Sequence, residues 1–114
     1  MPYNQKLAYR LRELLADVPE VAEKEMFRGI TFMVNGKMCI SVSGMEQLMV
    51  RIDPEMHDSL VEKNGCEEVI MRGKSMKGFV YVYESALKTK KELAGWVTLA
   101  LDYNPKAKAS KKKK

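Results

Sequence analysis

The stretch that decides the fold is residues 26–52, MFRGITFMVNGKMCISVSGMEQLMVRI. Three short runs in it, Ile30–Val34, Met38–Val42 and Leu48–Ile52, place apolar residues at every second position. This period-two pattern is typical of β-strands. Asn35-Gly36 separates the first two runs, and this dipeptide favours a tight hairpin because both of its residues accept positive φ. The stretch therefore predicts a three-stranded antiparallel meander.

Helices are predicted on both sides of this meander. Leucines recur at helical spacing between Leu7 and Leu15, which indicates an amphipathic helix. Asp53 precedes a proline and an acid, a combination that is typical of a helix start. Thr89 and Glu92 fit a capping box, in which each side chain accepts from the other residue's backbone amide, so a third helix is expected to begin there.

The remaining segments complete an α+β domain. Residues 21–27 are interpreted as a short link, residues 68–71 as a short strand and residues 73–78 (GKSMKG) as a loop. Residues 79–83 (FVYVY) are rich in β-forming residues and apolar on both faces, so we expect them inside the sheet. The predicted order is α-β-β-β-α-β-β-α, with the helices against one face of a two-layer domain.

Length and charge indicate one domain, residues 1–103, followed by a disordered lysine-rich tail, residues 104–114. The net charge of +5 belongs to that tail. Without the six tail lysines, the body has 14 basic residues against 15 acidic ones. The six are Lys106, Lys108, Lys111, Lys112, Lys113 and Lys114.

Cysteine and histidine usage gives no metal-ligand set. Cys39 and Cys66 are interpreted as two reduced thiols or, if the geometry allows it, as a disulfide. The chain has one histidine and no CxxC pair, so we expect no metal and no cofactor. No apolar run approaches the roughly 18 residues of a membrane span, and the N-terminus lacks the apolar core of a signal peptide. A cytoplasmic location is therefore expected.

Four segments together resemble the TfoX N-terminal domain family, and the resemblance covers roughly residues 7–103. It implies an α-βββ-α-ββ-α fold similar to that of secretion-chaperone-like two-layer proteins, and it implies no catalytic residues. The segments are Met26-Phe27, Phe32–Met38, Leu48–Ile52 and Met76–Val82.

The resemblance also implies a bacterial protein linked to regulation. Longer members of the family are regulators of natural competence that carry a second, C-terminal domain. This chain ends before such a domain, so we expect a stand-alone N-terminal domain. It has Arg28 where a second glycine is usual after Met-Phe, and Ser75 where proline is usual before Met-Lys-Gly.

The expected function is that of a non-enzymatic regulatory or protein-interaction module, with a homodimer as one form of partner. Methionines such as Met71 and Met76 fit either an adaptable binding surface or irregular gaps in the core. Arg51 and Lys77 fit either an anion-binding patch beside the GKSMKG loop or solvated charges beside a turn. The candidate surface comprises Met33, Cys39, Met49, Arg51, Lys74 and Lys77.

Two rival functions follow from other residues. A nucleic-acid-binding protein would gather the basic residues of the body on one face, while the tail lysines add weak nonspecific contact or serve only solubility. An enzyme would use Cys39 as nucleophile and His57 as base, but no residue is indicated as the third, orienting group, and the alternative is a buried thiol with an exposed histidine. The basic residues that such a face would gather are seven of the 14 in the body: Lys24, Arg28, Lys37, Arg51, Arg72, Lys74 and Lys77.

Overall fold

A computed structural model describes residues 4–26, 29–43 and 47–107, which form a six-stranded antiparallel sheet and three α-helices. The strands are β1 (Val21–Met26), β2 (Gly29–Val34), β3 (Lys37–Ser43), β4 (Gln47–Arg51), β5 (Cys66–Met71) and β6 (Lys74–Tyr83). The helices are α1 (Gln5–Leu14), α2 (His57–Val61) and α3 (Lys90–Tyr103), with 3-10 turns at Pro54–Met56, Glu84–Ala86 and Asn104–Lys106. The strand order is β1-β2-β3-β4-β6-β5. The predicted α+β class is confirmed, and β6 lies inside the sheet as expected.

The segment interpreted as a link is the edge strand β1, so the interpretation was wrong. Val21 to Met26 pair antiparallel with β2 along their whole length. Glu23 is held by Arg12 of α1, whose Nε and Nη2 donate to its two carboxylate oxygens at 2.8 and 2.9 Å. Arg12 thereby lowers the pKa of the Glu23 carboxyl group, first through the hydrogen bond and also through its charge. The charged side chains of β1 hide the alternation of apolar and polar residues that would identify a strand. An edge strand tolerates such residues because it buries little of either face.

Two hairpin turns share one backbone conformation. Asn35 and Gly36 have φ of 56° and 76°, which confirms the predicted turn between β2 and β3. Arg72 and Gly73 have φ of 53° and 79° and form the equivalent turn between β5 and β6. The loop predicted for residues 73–78 is therefore wrong, because β6 starts at Lys74.

The second hairpin departs from a regular ladder. Glu68 pairs with Val80, but Ile70 pairs with Ser75, so four residues of β6, Met76 to Phe79, stand opposite the single Val69 of β5. Inside this irregular stretch the carbonyl of Gly78 accepts from the amide of Ile52, 2.9 Å away. The glycine and charged residues that suggested a loop thus belong to the bulged part of a strand.

All three helices pack on one face of the sheet, and their buried apolar residues join the strands in one cluster, here named the helix-side core. The predicted helix starts are confirmed. Thr89 and Glu92 form a capping box, and the Asp53 side chain accepts from the amide of Glu55. The largest contributors to the helix-side core include Leu7, Leu11, Phe32, Ile40, Val50, Ile52, Leu87, Leu93 and Trp96.

A bulge in β3 changes the face on which Cys39 lies. Phe32 pairs with Ile40, whereas Met33 pairs with Met38, so Cys39 is an extra residue in the ladder. Cys39 and Ile40 consequently both belong to the helix-side core, and Met38 lies on the opposite face. The grouping of Cys39 with Met33 in the candidate surface was therefore wrong, because strict alternation does not hold across a bulge.

Residues 104–107 pack on the body, although the sequence suggested that the tail begins at 104. Asn104 is buried, and its side chain donates to the carbonyl of Val34 (3.1 Å) and accepts from Asn35 (2.9 Å). Lys37 donates to the backbone carbonyl of Asn104 at 3.1 Å. Lys106 is exposed at this end, and the other five tail lysines lie outside the described residues.

Candidate binding surfaces

The face of the sheet opposite the helices carries a second apolar cluster, which we name the methionine cluster. It gathers the four methionines singled out in the sequence and adds Met38. Its buried members are Met33, Met38, Met49 and Val69, and Met71, Met76, Phe79 and Tyr81 pack around them half-buried. The sequence left open whether these methionines fill gaps in the core or form a binding surface. The buried members fill a small core, whereas the half-buried members remain accessible at the surface.

The two parts of the methionine cluster differ in their accessibility. Met49 is only 1% exposed and Met33 8%, so the centre of the cluster is a small core. The margin, formed by Met71, Met76 and two aromatic residues, stays half-buried, with no described helix packed on it. A second molecule would meet this margin and leave the centre in place.

Basic side chains lie beside the margin. The guanidinium carbon of Arg51 lies 5.7 Å from the centre of the Phe79 ring, a cation–π geometry, and Arg51 also donates to the carbonyl of Met38 at 3.4 Å. Lys74 pairs with Met71 across the hairpin, which places it on the same face. One acid, Glu67, also lies on this face, and its carboxylate accepts from the Tyr83 hydroxyl group. That hydrogen bond, together with burial, raises the pKa of Tyr83 to about 12.

Of the six residues of the candidate surface, four lie on this face and two do not. Met33, Met49, Arg51 and Lys74 share it. Cys39 is in the helix-side core, and the Lys77 Nζ lies 3.5 Å from the Asp58 carboxylate at the start of α2. Arg51 and Lys77 are thus engaged by different neighbours, and the structure gives the anion patch no support.

Cys39 and His57 are both buried, and the Cys39 thiol lacks the reactivity that a catalytic nucleophile needs. Cys39 is 1% exposed, and burial raises the pKa of its thiol to about 11, although the nearby charge of Arg51 acts in the opposite direction. At neutral pH the thiol is therefore protonated and a poor nucleophile. His57 is buried, so the expectation of an exposed histidine was wrong. Its Nδ1 lies 3.1 Å from Asp58 Oδ1, and this hydrogen bond is the main cause that lowers the pKa of the Asp58 carboxyl group.

The cysteines and acids give no metal centre in the described part of the chain. Cys39 and Cys66 are both free thiols, so these two cysteines do not form a disulfide. Among residues 4–26, 29–43 and 47–107 no three His, Cys, Asp or Glu side chains come together as a metal-binding group. None of the helices within these ranges combines the length and apolar character needed to cross a membrane.

Of the seven basic residues proposed for a nucleic-acid-binding face, those that the structure describes do not converge on one face. Lys37 and Lys77 contact groups on the helix side, at Asn104 and Asp58. Arg51 and Lys74 lie on the methionine side, as does Lys24, which pairs with Thr31 of β2. Arg72 occupies the β5–β6 turn, and Arg28 lies outside the described residues.

A groove between α2 and α3 was missed at the sequence level; we name it the α2–α3 groove. It encloses about 370 Å³. A Cβ atom built on Gly95, in the middle of α3, meets nothing within 4 Å. A glycine inside a strong helical pattern was the available signal, because it lowers helix stability without an evident gain. The groove is lined by Leu60, Lys63, Asn64, Ala86, Lys91, Glu92, Gly95, Trp96 and Leu99.

Fold and surfaces define a small two-layer α+β domain with a methionine-lined sheet face and a grooved helix layer. The model of the TfoX N-terminal domain family matches residues 13–103, and the chain belongs to this family. The matched range runs from within α1 to the last residue of α3. Comparison with curated proteins found no match, nor did comparison with solved structures.

Proposed function

We propose that this chain is a cytoplasmic, non-enzymatic regulatory module that binds a partner protein through the margin of the methionine cluster. The observation that carries the proposal is the half-buried group of Met71, Met76, Phe79 and Tyr81 on a sheet face that no described helix covers. Methionine side chains are flexible and polarizable, so such a surface adapts to the shape of a partner. The aromatic rings add rigid contact area of the kind that anchors interfaces.

Charge favours an acidic partner over a second copy of the chain. Arg51 and Lys74 lie beside the margin, and the carboxylate of Glu67 is already engaged by Tyr83. Two copies meeting face to face through this surface would bring cations against cations. A partner with an apolar patch flanked by Asp or Glu satisfies both features of the surface.

The non-enzymatic part of the proposal is supported by the family and by the state of Cys39. The family match carries no catalytic residues to this chain, and the buried thiol is protonated at neutral pH. Binding is therefore the activity to test first.

The test is photo-crosslinking from defined positions in cells that express the protein at its natural level. Tyr81→p-benzoylphenylalanine places the reactive group at the margin, and the same replacement at Tyr9, 59% exposed on α1, is the matched control. We expect one defined adduct from position 81, none from position 9, and loss of the adduct with Lys74→Glu but not with Lys6→Glu. The purified partner should then bind the purified chain with the same dependence on Lys74. An adduct to another copy of this chain would overturn the acidic partner, and equal adducts from positions 9 and 81 would overturn the surface.

Nucleic-acid binding is the alternative, tested separately by fluorescence anisotropy with a short DNA duplex at low and physiological salt. The intact chain is compared with a chain truncated after Ala107, because residues 104–107 pack on the body. Our proposal expects binding at low salt that disappears with the tail or with added salt. Binding that survives both changes would make the body a nucleic-acid-binding domain.

A further inference from the structure

The α2–α3 groove has an apolar floor with room for a ligand. Its apolar lining residues include Leu60 of α2 and Trp96 and Leu99 of α3. Gly95 also lines the groove and is exposed, and a Cβ atom built on it meets no atom within 4 Å. The volume of about 370 Å³ falls in the range of roughly 300–1,000 Å³ that small-molecule sites occupy.

Two lysines border this floor. Lys63 follows α2 and Lys91 lies in the first turn of α3, and both are exposed. Within the part of the chain that the structure describes, neither forms an ion pair. The third charged residue of the groove is Glu92. Its carboxylate is already engaged in the capping box of α3, where its Oε1 accepts from the Thr89 amide at 3.0 Å. The two ammonium groups are therefore available to an anion, with one engaged carboxylate nearby.

We propose that the α2–α3 groove binds a small amphipathic carboxylate. The apolar body of the ligand lies over Gly95 against Trp96 and Leu60, and its carboxylate lies between Lys63 and Lys91. Burial of the apolar body supplies most of the affinity, since ion pairs at exposed sites are weak. The lysines supply the preference for an acid over a neutral molecule of the same shape. This site lies on the helix side of the sheet, so it stands or falls independently of the proposed protein-binding surface.

The ligand preference is measured with two probes of matched shape, 4-phenylbutyrate and the neutral 4-phenylbutanamide. Trp96 is the single tryptophan of the chain and lines the groove, so a change in its fluorescence serves as the signal of binding. We expect saturable binding of the acid, about three- to tenfold tighter than that of the amide, because two exposed ion pairs are at stake. Isothermal titration calorimetry provides a second measurement that does not depend on the fluorophore. Equal binding of acid and amide, or no saturable binding of either, would overturn the proposal.

Variants separate the groove from general surface charge. Lys63→Gln and Lys91→Gln should each weaken acid binding about twofold or more and leave the amide unchanged. Lys90→Gln is the matched control, because Lys90 adjoins Lys91 but lines a different cavity, the one between α1 and α3. An equal loss with Lys90→Gln would mean that only the net charge matters, and the site would be wrong.

Filling the groove is the most direct test. Gly95→Leu places a side chain in the open space and should abolish binding of both probes. The variant should remain folded and unfold at a higher temperature than the wild-type chain, because leucine is a much better helix former than glycine. A stable Gly95→Leu variant that still binds the acid at wild-type strength would overturn the proposal.

Discussion

The two faces of the sheet are built from different side chains. The helix-side core packs branched and aromatic residues such as Phe32, Ile40 and Val50 under three helices. The methionine side has a small centre of three unbranched methionines and Val69, a polar pair, Thr31 and Ser41, and a half-buried margin. Residues with few rotamers specify one packing, whereas methionine tolerates several. One face therefore fixes the fold, and the other keeps a half-buried margin, the surface that we propose for a partner.

The largest expected effect on stability comes from two substitutions on β3, one on each face of the sheet. Ile40→Ala should lower the free energy of unfolding by about 4 kcal/mol, because Ile40 is fully buried under the helices. Met38→Ala, two residues away on the opposite face, should lower it by about 2 kcal/mol, since the smaller cluster can relax around the missing atoms. Urea denaturation measures both, with an unchanged m-value as the control. Equal losses would show that the two faces contribute alike.

The position of Cys39 in the helix-side core predicts a loss of stability at alkaline pH. Its pKa is about 11 in the folded chain, against a value near 9.0 for an unperturbed thiol. Between these values the unfolded thiol releases its proton first, so the contribution to stability is complete below pH 9 and lost as pH rises through 11. The expected loss is about 2–3 kcal/mol.

Denaturation at pH 8 to 11 measures this loss, and Cys39→Ala should remove the part of the decline that begins at pH 9, whereas the raised pKa of Tyr83 adds a decline above pH 10 in both proteins. Cys66→Ala is the matched control, because Cys66 is only half-buried and its raised pKa has the same main cause, burial. If the decline is the same in wild-type and Cys39→Ala proteins, other groups cause it and the thiol is not buried as described.

The polar pair on the methionine side predicts a smaller effect. Thr31 donates to Ser41 at 3.0 Å, and Ser41 donates to the carbonyl of Ile30 at 3.2 Å. Ser41→Ala should lower the free energy of unfolding by about 1–3 kcal/mol, because it leaves the buried Thr31 hydroxyl without its acceptor. Thr31→Val should cost about 1 kcal/mol or less, since Ser41 keeps its carbonyl acceptor. Thermal and urea unfolding of the two variants check the order, and a larger loss for Thr31→Val would contradict it.

The smallest expected effect concerns the two hairpin turns. Arg72→Asn should raise the free energy of unfolding by about 0.5 kcal/mol, because asparagine tolerates positive φ better than arginine. Asn35→Arg should lower it by more than that, since Asn35 also donates to Asn104. Urea denaturation of both variants measures these changes. A lower free energy of unfolding for Arg72→Asn would show that the arginine side chain itself stabilises the turn.

These same two turns show how far the sequence could predict the fold. Asn35 and Gly36 identify their turn because both residue types favour positive φ, whereas Arg72 gives no such signal and Gly73 was assigned to a loop over residues 73–78. The capping box at Thr89 was likewise readable, because it depends on residues three positions apart. The signals that succeeded are all local.

Features set by distant partners were not predictable in this way. The bulge at Cys39 depends on how β3 pairs with β2, and a period-two pattern extended through it places Cys39 on the wrong face. Cys39 therefore lies in the helix-side core, whereas two other candidate surface residues, Met33 and Met49, lie together in the methionine cluster. The α2–α3 groove arises from two helices far apart in the chain, and Gly95 alone did not reveal it.

The edge strands have a consequence for the behaviour of the chain at high concentration. The sheet does not close, so β1 and β5 each leave one row of backbone amides and carbonyls unpaired within the described sheet. Such rows recruit strands from other molecules and start aggregates unless charge prevents it. Glu23, Lys24 and Glu25 occupy one edge, and Glu67 and Glu68 occupy the other. The charges that hid β1 as a strand are thus of the kind that discourages an open edge from pairing with other molecules.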